Sequence, residues 1–297
     1  MDSQNQRPLI MGILNVTPDS FSDGGQYNKL DQAIDRAREM LEQGADIIDI
    51  GGESTRPGAD SISTSEQIDR VVPVIEGIRN YISEKVVISV DTTDYHVALA
   101  ALEADANWIN DVSAGEDARN IDSGIDSDTD NSIEPMLELA ARKQVPIVLM
   151  HRKGKSSTMQ DAPSYQNVSL EVKNYLNERA SLALKMGIKK DNIIIDPGIG
   201  FGKLLQHNLT LLADLKLLVT LGFPVLLGTS RKRFIGEVRN SFNNESDDND
   251  PEQRVSGTCA TTALAVNQGV KIFRVHDVAE NRQAADIAWA IKNSSEE

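Results

Sequence analysis

Polar residues end eight short apolar runs of this sequence, at positions where the interior of a β-strand would need none. The runs consist largely of Val, Ile and Leu, and each polar ending can bind a ligand through hydrogen bonds. The endings are Asn15, Asp49, Asp91, Asn110, His151, Asp196, Ser230 and His276. These carboxylates, amides, imidazoles and a hydroxyl are candidates for a single active site, provided that the fold brings them together.

A helix-like segment follows nearly every apolar run, which predicts parallel strands joined by crossover helices. The predicted strands are 9–15, 47–50, 86–91, 108–112, 146–150, 193–196, 224–227 and 270–275. The predicted helices include 29–43, 64–82, 94–104, 165–186, 206–221 and 252–268. Eight such units indicate an α/β fold, a closed (β/α)8 TIM barrel that forms a single domain over residues 1–297. The carboxyl ends of the strands share one face of such a barrel, so the polar endings would surround one ligand.

The composition excludes several other kinds of protein. The 297 residues are 40% hydrophobic, enough for one large core, and no apolar run approaches the roughly 18 residues of a membrane span. Cys259 is the single cysteine, so no internal disulfide can form, and four dispersed histidines argue against a Cys/His zinc cluster. No basic stripe supports nucleic-acid binding. We therefore expect a cytoplasmic protein that binds neither membrane nor nucleic acid.

The formal net charge of −15 is concentrated in two acidic tracts. Residues 116–134 carry seven acids and one arginine, and residues 243–252 carry five acids and no base, which leaves −4 for the rest of the chain. Both tracts are rich in Asp, Asn and Ser, so we predict flexible insertions over 116–134 and 239–253. Each insertion follows a strand and precedes a helix, which puts it on the catalytic face.

Seven motifs in chain order resemble those of the dihydropteroate synthase family. They are MGILNVTPDSFSDGG (11–25), DIIDIGGESTRPGA (46–59), ISVDT (88–92), INDVSAG (109–115), DPGIGFGK (196–203), TSRKRFIG (229–236) and RVHDV (274–278). The resemblance implies a (β/α)8 barrel of folate biosynthesis that joins 6-hydroxymethyl-7,8-dihydropterin pyrophosphate to p-aminobenzoate and releases pyrophosphate. It also implies Mg2+ as cofactor, inhibition by sulfonamides that imitate p-aminobenzoate, and a homodimer formed through late helices. The acidic tracts look like those of eukaryotic, fungal members, whose synthase region is fused to other folate-pathway domains; a fungal origin would make a mitochondrial location an alternative.

The resemblance implies a pterin site made of strand-end residues and of the loop after strand six. Its residues are Asp91, Asn110, Met150, Asp196, Gly200, Phe201 and Lys232. A pterin presents an amino-pyrimidinone edge with donors and acceptors, which suits carboxylates that accept and an amide that does both. An isolated strand-end aspartate could equally cap a helix, but several at the strand ends of one barrel favour a ligand.

The resemblance also implies a pyrophosphate site and a p-aminobenzoate site. The pyrophosphate residues are Asn15, Thr55, Arg56, Arg274 and His276, and the p-aminobenzoate residues are Phe21, Pro57, Phe201 and Lys232. Arg274 and His276 stand two apart in extended chain and so point the same way, beside loops that commonly bind phosphate in this fold. Asn15 would bind Mg2+ through its amide oxygen, with diphosphate oxygens and waters as further ligands. The alternatives are a salt bridge for Arg274 and a surface position for Lys232.

We expect this reaction to be a dissociative displacement, because departure of pyrophosphate leaves a cation that is delocalised into the pterin. The catalytic residues are then Asp91, Asp196, Lys232 and Arg274, and the neutral aromatic amine needs no strong general base. Three other functions stay open: a methyltetrahydrofolate corrinoid methyltransferase with the same pterin residues, a barrel acting on a sugar phosphate, and a catalytically silent scaffold barrel.

Overall fold

The computed structural model describes residues 6–17, 26–53, 62–117, 134–154, 159, 162–243 and 250–294. Within these ranges, eight parallel strands form one sheet. The strands are β1 (Leu9–Asn15), β2 (Ile47–Gly51), β3 (Val87–Asp91), β4 (Trp108–Asp111), β5 (Ile147–Met150), β6 (Ile193–Asp196), β7 (Leu226–Leu227) and β8 (Ile272–Val275). Their order in the sheet is β6-β5-β4-β3-β2-β1-β8-β7. The sheet closes where Ile195 pairs with Val225 in parallel and donates its N–H to the Pro224 carbonyl at 3.0 Å.

Helices connect the strands and cover the outside of the sheet. They are α1 (Gln26–Glu42), α2 (Thr64–Tyr81), α3 (Tyr95–Glu103), α4 (Pro135–Lys143), α5 (Val168–Lys185), α6 (Leu205–Ala213), α7 (Leu215–Val219), α8 (Arg233–Asn243), α9 (Val255–Gln268) and α10 (Val278–Asn293). Among the described residues, no helix combines the length and the apolar character that crossing a membrane requires. The predicted (β/α)8 TIM barrel is confirmed.

The structure differs from the predicted elements at two places. The helix predicted over 206–221 is divided at Asp214, whose carboxylate accepts a hydrogen bond from the Ser169 hydroxyl at 2.6 Å. The helix predicted over 252–268 is preceded by α8, which occupies 233–243 and therefore includes the first residues of the predicted second insertion. Of the first predicted insertion, residues 118–133 lie outside the described residues, as do 244–249 of the second.

Two apolar layers lie on the two faces of the strands. The inner layer fills the barrel and consists of Met11, Ile47, Val148, Ile194, Leu226 and Ile272. The outer layer, which packs the strands against the helices, is a much larger cluster of buried Ile, Val, Leu and Ala side chains. Because successive strand residues point to opposite faces, the residue two positions beyond each inner apolar residue also points into the barrel.

Candidate active site

A polar layer lies inside the barrel directly above the inner apolar layer. Asp49 stands two residues after Ile47 in β2, and Asp196 stands two residues after Ile194 in β6. Asn110 and Arg274 occupy the corresponding positions of β4 and β8. These positions are at the carboxyl ends of the strands, where this fold places its active sites. The strand period of two therefore brings four chemically active side chains to one end of the barrel.

Arg274 connects this layer. Its Nε donates to Oδ2 of Asp49 at 2.6 Å, and its Nη2 donates to Oδ2 of Asp91 at 2.6 Å. The same Oδ2 of Asp49 accepts a hydrogen bond from Nδ2 of Asn110 at 3.0 Å. The salt bridge considered as an alternative for Arg274 is therefore present, and it holds the guanidinium inside the barrel mouth. Its predicted role toward pyrophosphate stays a prediction.

Asp49 and Asp91 are both buried beside Arg274. Asp49 is 0% exposed and Asp91 is 5% exposed, and burial raises the pKa of Asp91 to about 7, against the opposing charge of Arg274. Burial acts to lower the pKa of Arg274, but Asp49 and Asp91 outweigh it and raise that pKa above its usual value. Within the described residues, Oδ1 of each aspartate is buried without a hydrogen-bond partner. An unmade hydrogen bond of this kind is costly, so both oxygens are positioned for a ligand that carries N–H groups.

Lys232 lies against the loop that follows β6. Its Nζ donates to the Ile199 carbonyl and stands 4.4 Å from the centre of the Phe201 ring, a cation–π distance. A Cβ at Gly200 would come within 3.2 Å of Cδ of Lys232, so the glycine permits this approach. Burial lowers the pKa of Lys232 to about 8, although Asp196 opposes the shift. Lys232 is therefore not a free surface lysine.

Asp196 and Met150 lie side by side in register at the ends of β6 and β5. Oδ1 of Asp196 accepts a hydrogen bond from the Gly198 N–H at 2.7 Å, and burial raises the pKa of this aspartate. Met150 is buried, with 3% exposure. Together they give one polar and one apolar wall to the same part of the barrel mouth.

His276 follows β8 and is oriented by Ser230. The Ser230 Oγ accepts a hydrogen bond from the His276 backbone N–H at 3.0 Å and lies 2.9 Å from Nδ1 of the ring. If the hydroxyl donates to Nδ1, the neutral ring carries its proton on Nε2. The Nε2–H is a suitable donor to an anion, and Ser230 fixes the direction in which the ring presents it.

Asn15 ends β1 beside Gly51. The point where a Cβ of Gly51 would lie is 3.6 Å from Oδ1 of Asn15 and 3.7 Å from Oδ2 of Asp91. The missing side chain of Gly51 thus leaves an oxygen-lined space at the barrel mouth. Among the described residues, no group of three or more His, Cys, Asp and Glu side chains could hold a metal ion.

Four predicted site residues lie outside the described residues: Phe21, Thr55, Arg56 and Pro57. The structure adds partners that were not predicted. Asp49, Ser230 and His151 were predicted only as polar strand endings, and they contact Arg274, His276 and Lys203, respectively; Lys203 itself had no predicted role. Asp49 carried a usable signal, because a carboxylate in the middle of a fully buried strand requires a charged or polar partner. Lys203 carried none, because a lysine after a glycine-rich turn is ordinary surface chemistry until the fold buries it.

Comparison with known proteins places the chain among pterin enzymes. A family model described as pterin binding enzyme matches residues 11–276. The chain is 42% identical to the dihydropteroate synthase of Synechocystis over 287 residues, which cover 96% of this chain and 91% of that protein. It is 43% identical to the dihydropteroate synthase of Haemophilus influenzae over 287 residues, covering 97% of this chain and 95% of that protein. These relatives are bacterial, so the predicted similarity of the acidic tracts to eukaryotic, fungal members stays a prediction.

Solved structures agree with the sequence relatives. Dihydropteroate synthase of Yersinia pestis, solved with a sulfonamide drug complex, superposes with a TM-score of 0.83 at 40% identity, covering 99% of this chain and 96% of that chain. The Xanthomonas albilineans enzyme with 4-aminobenzoic acid gives 0.83 at 42% identity, covering 97% and 94%. The same enzyme with 7,8-dihydropteroate gives 0.79 at 39% identity, covering 97% and 94%.

Proposed function

The chain belongs to the pterin binding enzyme family and acts as a dihydropteroate synthase, and on that premise we propose how the residues of its barrel mouth divide the reaction. The reaction joins 6-hydroxymethyl-7,8-dihydropterin pyrophosphate to p-aminobenzoate and yields 7,8-dihydropteroate and pyrophosphate. The observation that carries the proposal is the cluster in which Arg274 binds Asp49 and Asp91 while both carboxylates keep a buried oxygen without a partner. The corrinoid methyltransferase alternative is not favoured, because the full-length relatives are dihydropteroate synthases.

The pterin ring binds to the carboxyl ends of β3, β4 and β6. Asp91 accepts from the ring through Oδ1, the oxygen that Arg274 leaves unpaired. Asn110 donates its Nδ2 to Asp49, so its Oδ1 faces away as an acceptor for a ring N–H. Asp196 at the end of β6 also binds the pterin ring. Met150, Gly200 and Phe201 form the walls on either side of the ring.

The diphosphate binds where β1, β2 and β8 end. Arg274 engages two of its five N–H donors with Asp49 and Asp91, and its remaining donors reach the anion. His276 donates from Nε2, held in direction by Ser230. Thr55 and Arg56 complete this side as predictions from the motif that follows β2.

Mg2+ is the cofactor that this donor set fits. The amide oxygen of Asn15 beside the space at Gly51 offers one neutral oxygen, and magnesium commonly binds through few protein ligands, keeping waters and phosphate oxygens. When bound, the ion neutralises charge on the diphosphate leaving group.

The displacement requires charge stabilisation rather than a nucleophile of the protein. The bond between the pterin methylene carbon and the diphosphate oxygen breaks, and its electron pair departs with the diphosphate, toward Arg274 and His276. The carboxylates of Asp91 and Asp196 stabilise the cation left on the pterin. The p-aminobenzoate nitrogen then bonds to the methylene carbon, and its surplus proton passes to the departing pyrophosphate.

The p-aminobenzoate lies beside Lys232 and Phe201, the ammonium and ring that are 4.4 Å apart. Phe21 and Pro57 complete this side as predictions. A carboxylate or a sulfonamide in this position meets the cation of Lys232, so we expect sulfonamides to compete with p-aminobenzoate. The Yersinia pestis enzyme, solved with a sulfonamide drug complex, supports this expectation.

Release of inorganic pyrophosphate is the direct test of the reaction, and it must depend on both p-aminobenzoate and Mg2+. Asp91→Asn should weaken the binding of 6-hydroxymethylpterin, measured by calorimetry, by about 10- to 100-fold, as expected for a lost charge-assisted hydrogen bond. Arg274→Ala should lose more affinity for the diphosphate ester than for the pterin alone. Equal losses toward both ligands would contradict the anion role of Arg274.

A homodimer and a cytoplasmic location complete the proposal. Leu264 of α9 and Ile287 and Ile291 of α10 are 59% to 67% exposed on two helices that pack together, which supports a dimer through this face. Leu264→Asp should then shift the sedimentation of the protein toward the monomer. The bacterial relatives support the cytoplasmic location and give no support to the mitochondrial alternative; fractionation of the source cells would decide it.

A further inference from the structure

A buried lysine holds the loop that carries Gly200 and Phe201. Lys203 is 2% exposed, and its Nζ donates to the carbonyl of Gly198 at 2.9 Å and to the carbonyl of Phe201 at 3.0 Å. An ammonium group has three donors and no acceptor, so it draws these two carbonyls toward one point inside the protein. The loop is therefore closed around a cation that neither substrate reaches.

His151 supplies the remaining contacts of that cation. Its Nδ1 lies 3.0 Å from Nζ of Lys203, and its backbone carbonyl accepts from the same Nζ at 3.3 Å. Burial, together with the charge of Lys203, lowers the pKa of His151 to about 3, so the ring is neutral and Nδ1 acts as an acceptor. Burial also lowers the pKa of Lys203. The three N–H donors of Lys203 are shared among these four acceptors, and the contacts offset the cost of burying an ammonium.

The loop that carries Gly200 and Phe201 packs closely against the segment that follows β5. Gly198 and Gly202 have φ of 65° and 64°, a region that side chains rarely adopt. A Cβ at Gly198 would collide with the carbonyl oxygen of His151, and one at Gly202 with the carbonyl oxygen of Lys153. The loop backbone thus lies directly on the segment after β5, and Lys203 is the group that binds the two together.

The same loop receives Lys232 from the barrel mouth. Lys232 donates to the carbonyl of Ile199, between the two carbonyls that Lys203 binds, and lies 4.4 Å from the Phe201 ring. Two lysines therefore bind different carbonyls of one short loop, Lys203 from the core and Lys232 from the barrel mouth. A displacement of the loop backbone would move both the Phe201 ring and the acceptor of Lys232.

We propose that Lys203 is a positioning residue for the p-aminobenzoate side of the site, where it acts through Phe201 and the carbonyl of Ile199 on the placement of Lys232. The inference rests on the proposed roles of Phe201 and Lys232 and goes beyond them, because Lys203 touches neither substrate. It differs from a purely structural role in that the loss must fall on the step that uses p-aminobenzoate and must disappear when Lys232 is absent.

A double-mutant cycle with Lys203→Met and Lys232→Met tests this. Lys203→Met keeps the length of the side chain and removes its donors, and we expect kcat/KM for p-aminobenzoate to fall about 100-fold, the loss typical of an ångström of misplacement. In the Lys232→Met background, the same change should cost less than about threefold, because residues that act through one another are not additive. The dissociation constant of 6-hydroxymethylpterin should change by a smaller factor than kcat/KM for p-aminobenzoate, since the loop supplies only the Gly200 and Phe201 walls of the pterin site, whereas Asp91 and Asn110 lie on β3 and β4.

Lys271→Met is the matched control, because burial also lowers the pKa of this lysine and it lies before β8 at the other end of the barrel. Its kcat/KM should stay at the parent value. If Lys203→Met does not fold, His151→Leu replaces it in the cycle, since it removes the Nδ1 acceptor and leaves the carbonyl contacts.

The outcomes distinguish the proposed role of Lys232 from the inferred role of Lys203. Full activity of Lys232→Met alone would refute the proposed role of Lys232 and the inference with it. If Lys232→Met loses activity and Lys203→Met lowers kcat/KM by the same factor in both backgrounds, the inference about Lys203 is overturned, whereas the proposed role of Lys232 stands.

Discussion

Asp49→Asn isolates the electrostatic coupling inside the barrel mouth. The change is isosteric, removes one negative charge, and leaves Arg274 paired with Asp91. The pKa of Asp91 is raised to about 7, first by burial and then by the negative charge of Asp49, against the opposing charge of Arg274. Removing the charge of Asp49 makes Asp91 easier to ionise. We therefore expect the pKa of Asp91 to fall in the variant.

The size of this shift follows from the geometry. Both carboxylates bind nitrogens of one guanidinium at 2.6 Å. Two charges about 5 Å apart interact by about 3 kcal/mol at an effective dielectric constant near 20. At about 1.4 kcal/mol per unit, this corresponds to roughly two pKa units as an upper value, and partial exposure of Arg274 reduces it to about one.

The sign can be read in the pH profile of kcat/KM, which reports the free enzyme. Asp91 must be a carboxylate to accept from the pterin, so the parent loses activity as the pH falls through about 7. The variant should keep its activity to a pH lower by about one unit. The substrate diphosphate titrates in the same way for both enzymes. The ratio of the variant's kcat/KM to that of the parent should therefore rise as the pH falls from 8 to 5.5.

Asp46→Asn is the control for this experiment. Asp46 also binds an arginine, Arg282 at 3.1 Å, but it precedes β2 and so lies at the opposite end of the barrel. Its profile should match that of the parent. An Asp49→Asn profile whose acidic limb stays in place, or moves to higher pH, would refute the proposed coupling between Asp49 and Asp91.

Three further outcomes are expected. Burial lowers the pKa of Lys232 to about 8, so kcat/KM of the parent enzyme should fall above that pH. Lys232→Arg should keep its kcat/KM to about pH 10. If both enzymes lose kcat/KM at the same basic pH, Lys232 is not the group whose titration causes the loss. Ser230→Ala should raise KM for the dihydropterin pyrophosphate about fivefold, because His276 loses its orienting partner. The affinity for 6-hydroxymethylpterin alone, measured by calorimetry, should not change. Equal losses toward both ligands would count against the orienting role of Ser230. Arg179→Met breaks a buried ion pair with Glu134 at 2.8 Å and should lower the free energy of unfolding in urea by about 3 kcal/mol, a loss below 1 kcal/mol being inconsistent with that pair.

The sequence predicted the barrel and its polar rim because both depend on local periodicity. Each short apolar run defined a strand, and Asp49, Asn110 and Asp196 lay where the strand period turns them into the barrel, whereas His151 follows β5 and contacts Lys203 instead. Asp91, Asn110 and Arg274 meet in the structure for this reason. The boundaries were predicted less well, as at Asp214, where one predicted helix is divided into two and where the side chain binds Ser169 of another helix.

The pairing inside the site could not be predicted, because it depends on distances between strands rather than on spacing along them. Arg274 and Asp49 are 225 positions apart and meet only because β8 and β2 lie on either side of β1. The buried position of Lys203 likewise depends on His151, which is 52 residues away and follows the carboxyl end of β5. Sequence periodicity specifies which way a side chain points, and the neighbouring strand specifies what it meets.

These pairings explain how the barrel mouth can hold groups of opposite charge for the two ends of one substrate. Arg274 binds one oxygen of Asp49 and one of Asp91, and among the described residues the other oxygen of each carboxylate has no hydrogen-bond partner. A ring with N–H donors fills the unpaired oxygens without displacing the guanidinium, and an anion can approach the guanidinium from its remaining donors. The site is therefore arranged to gain interactions from both ends of one substrate, and a variant that frees Arg274 from Asp49 should bind the diphosphate without aligning it to the ring. The cost of that misalignment would appear in kcat rather than in KM.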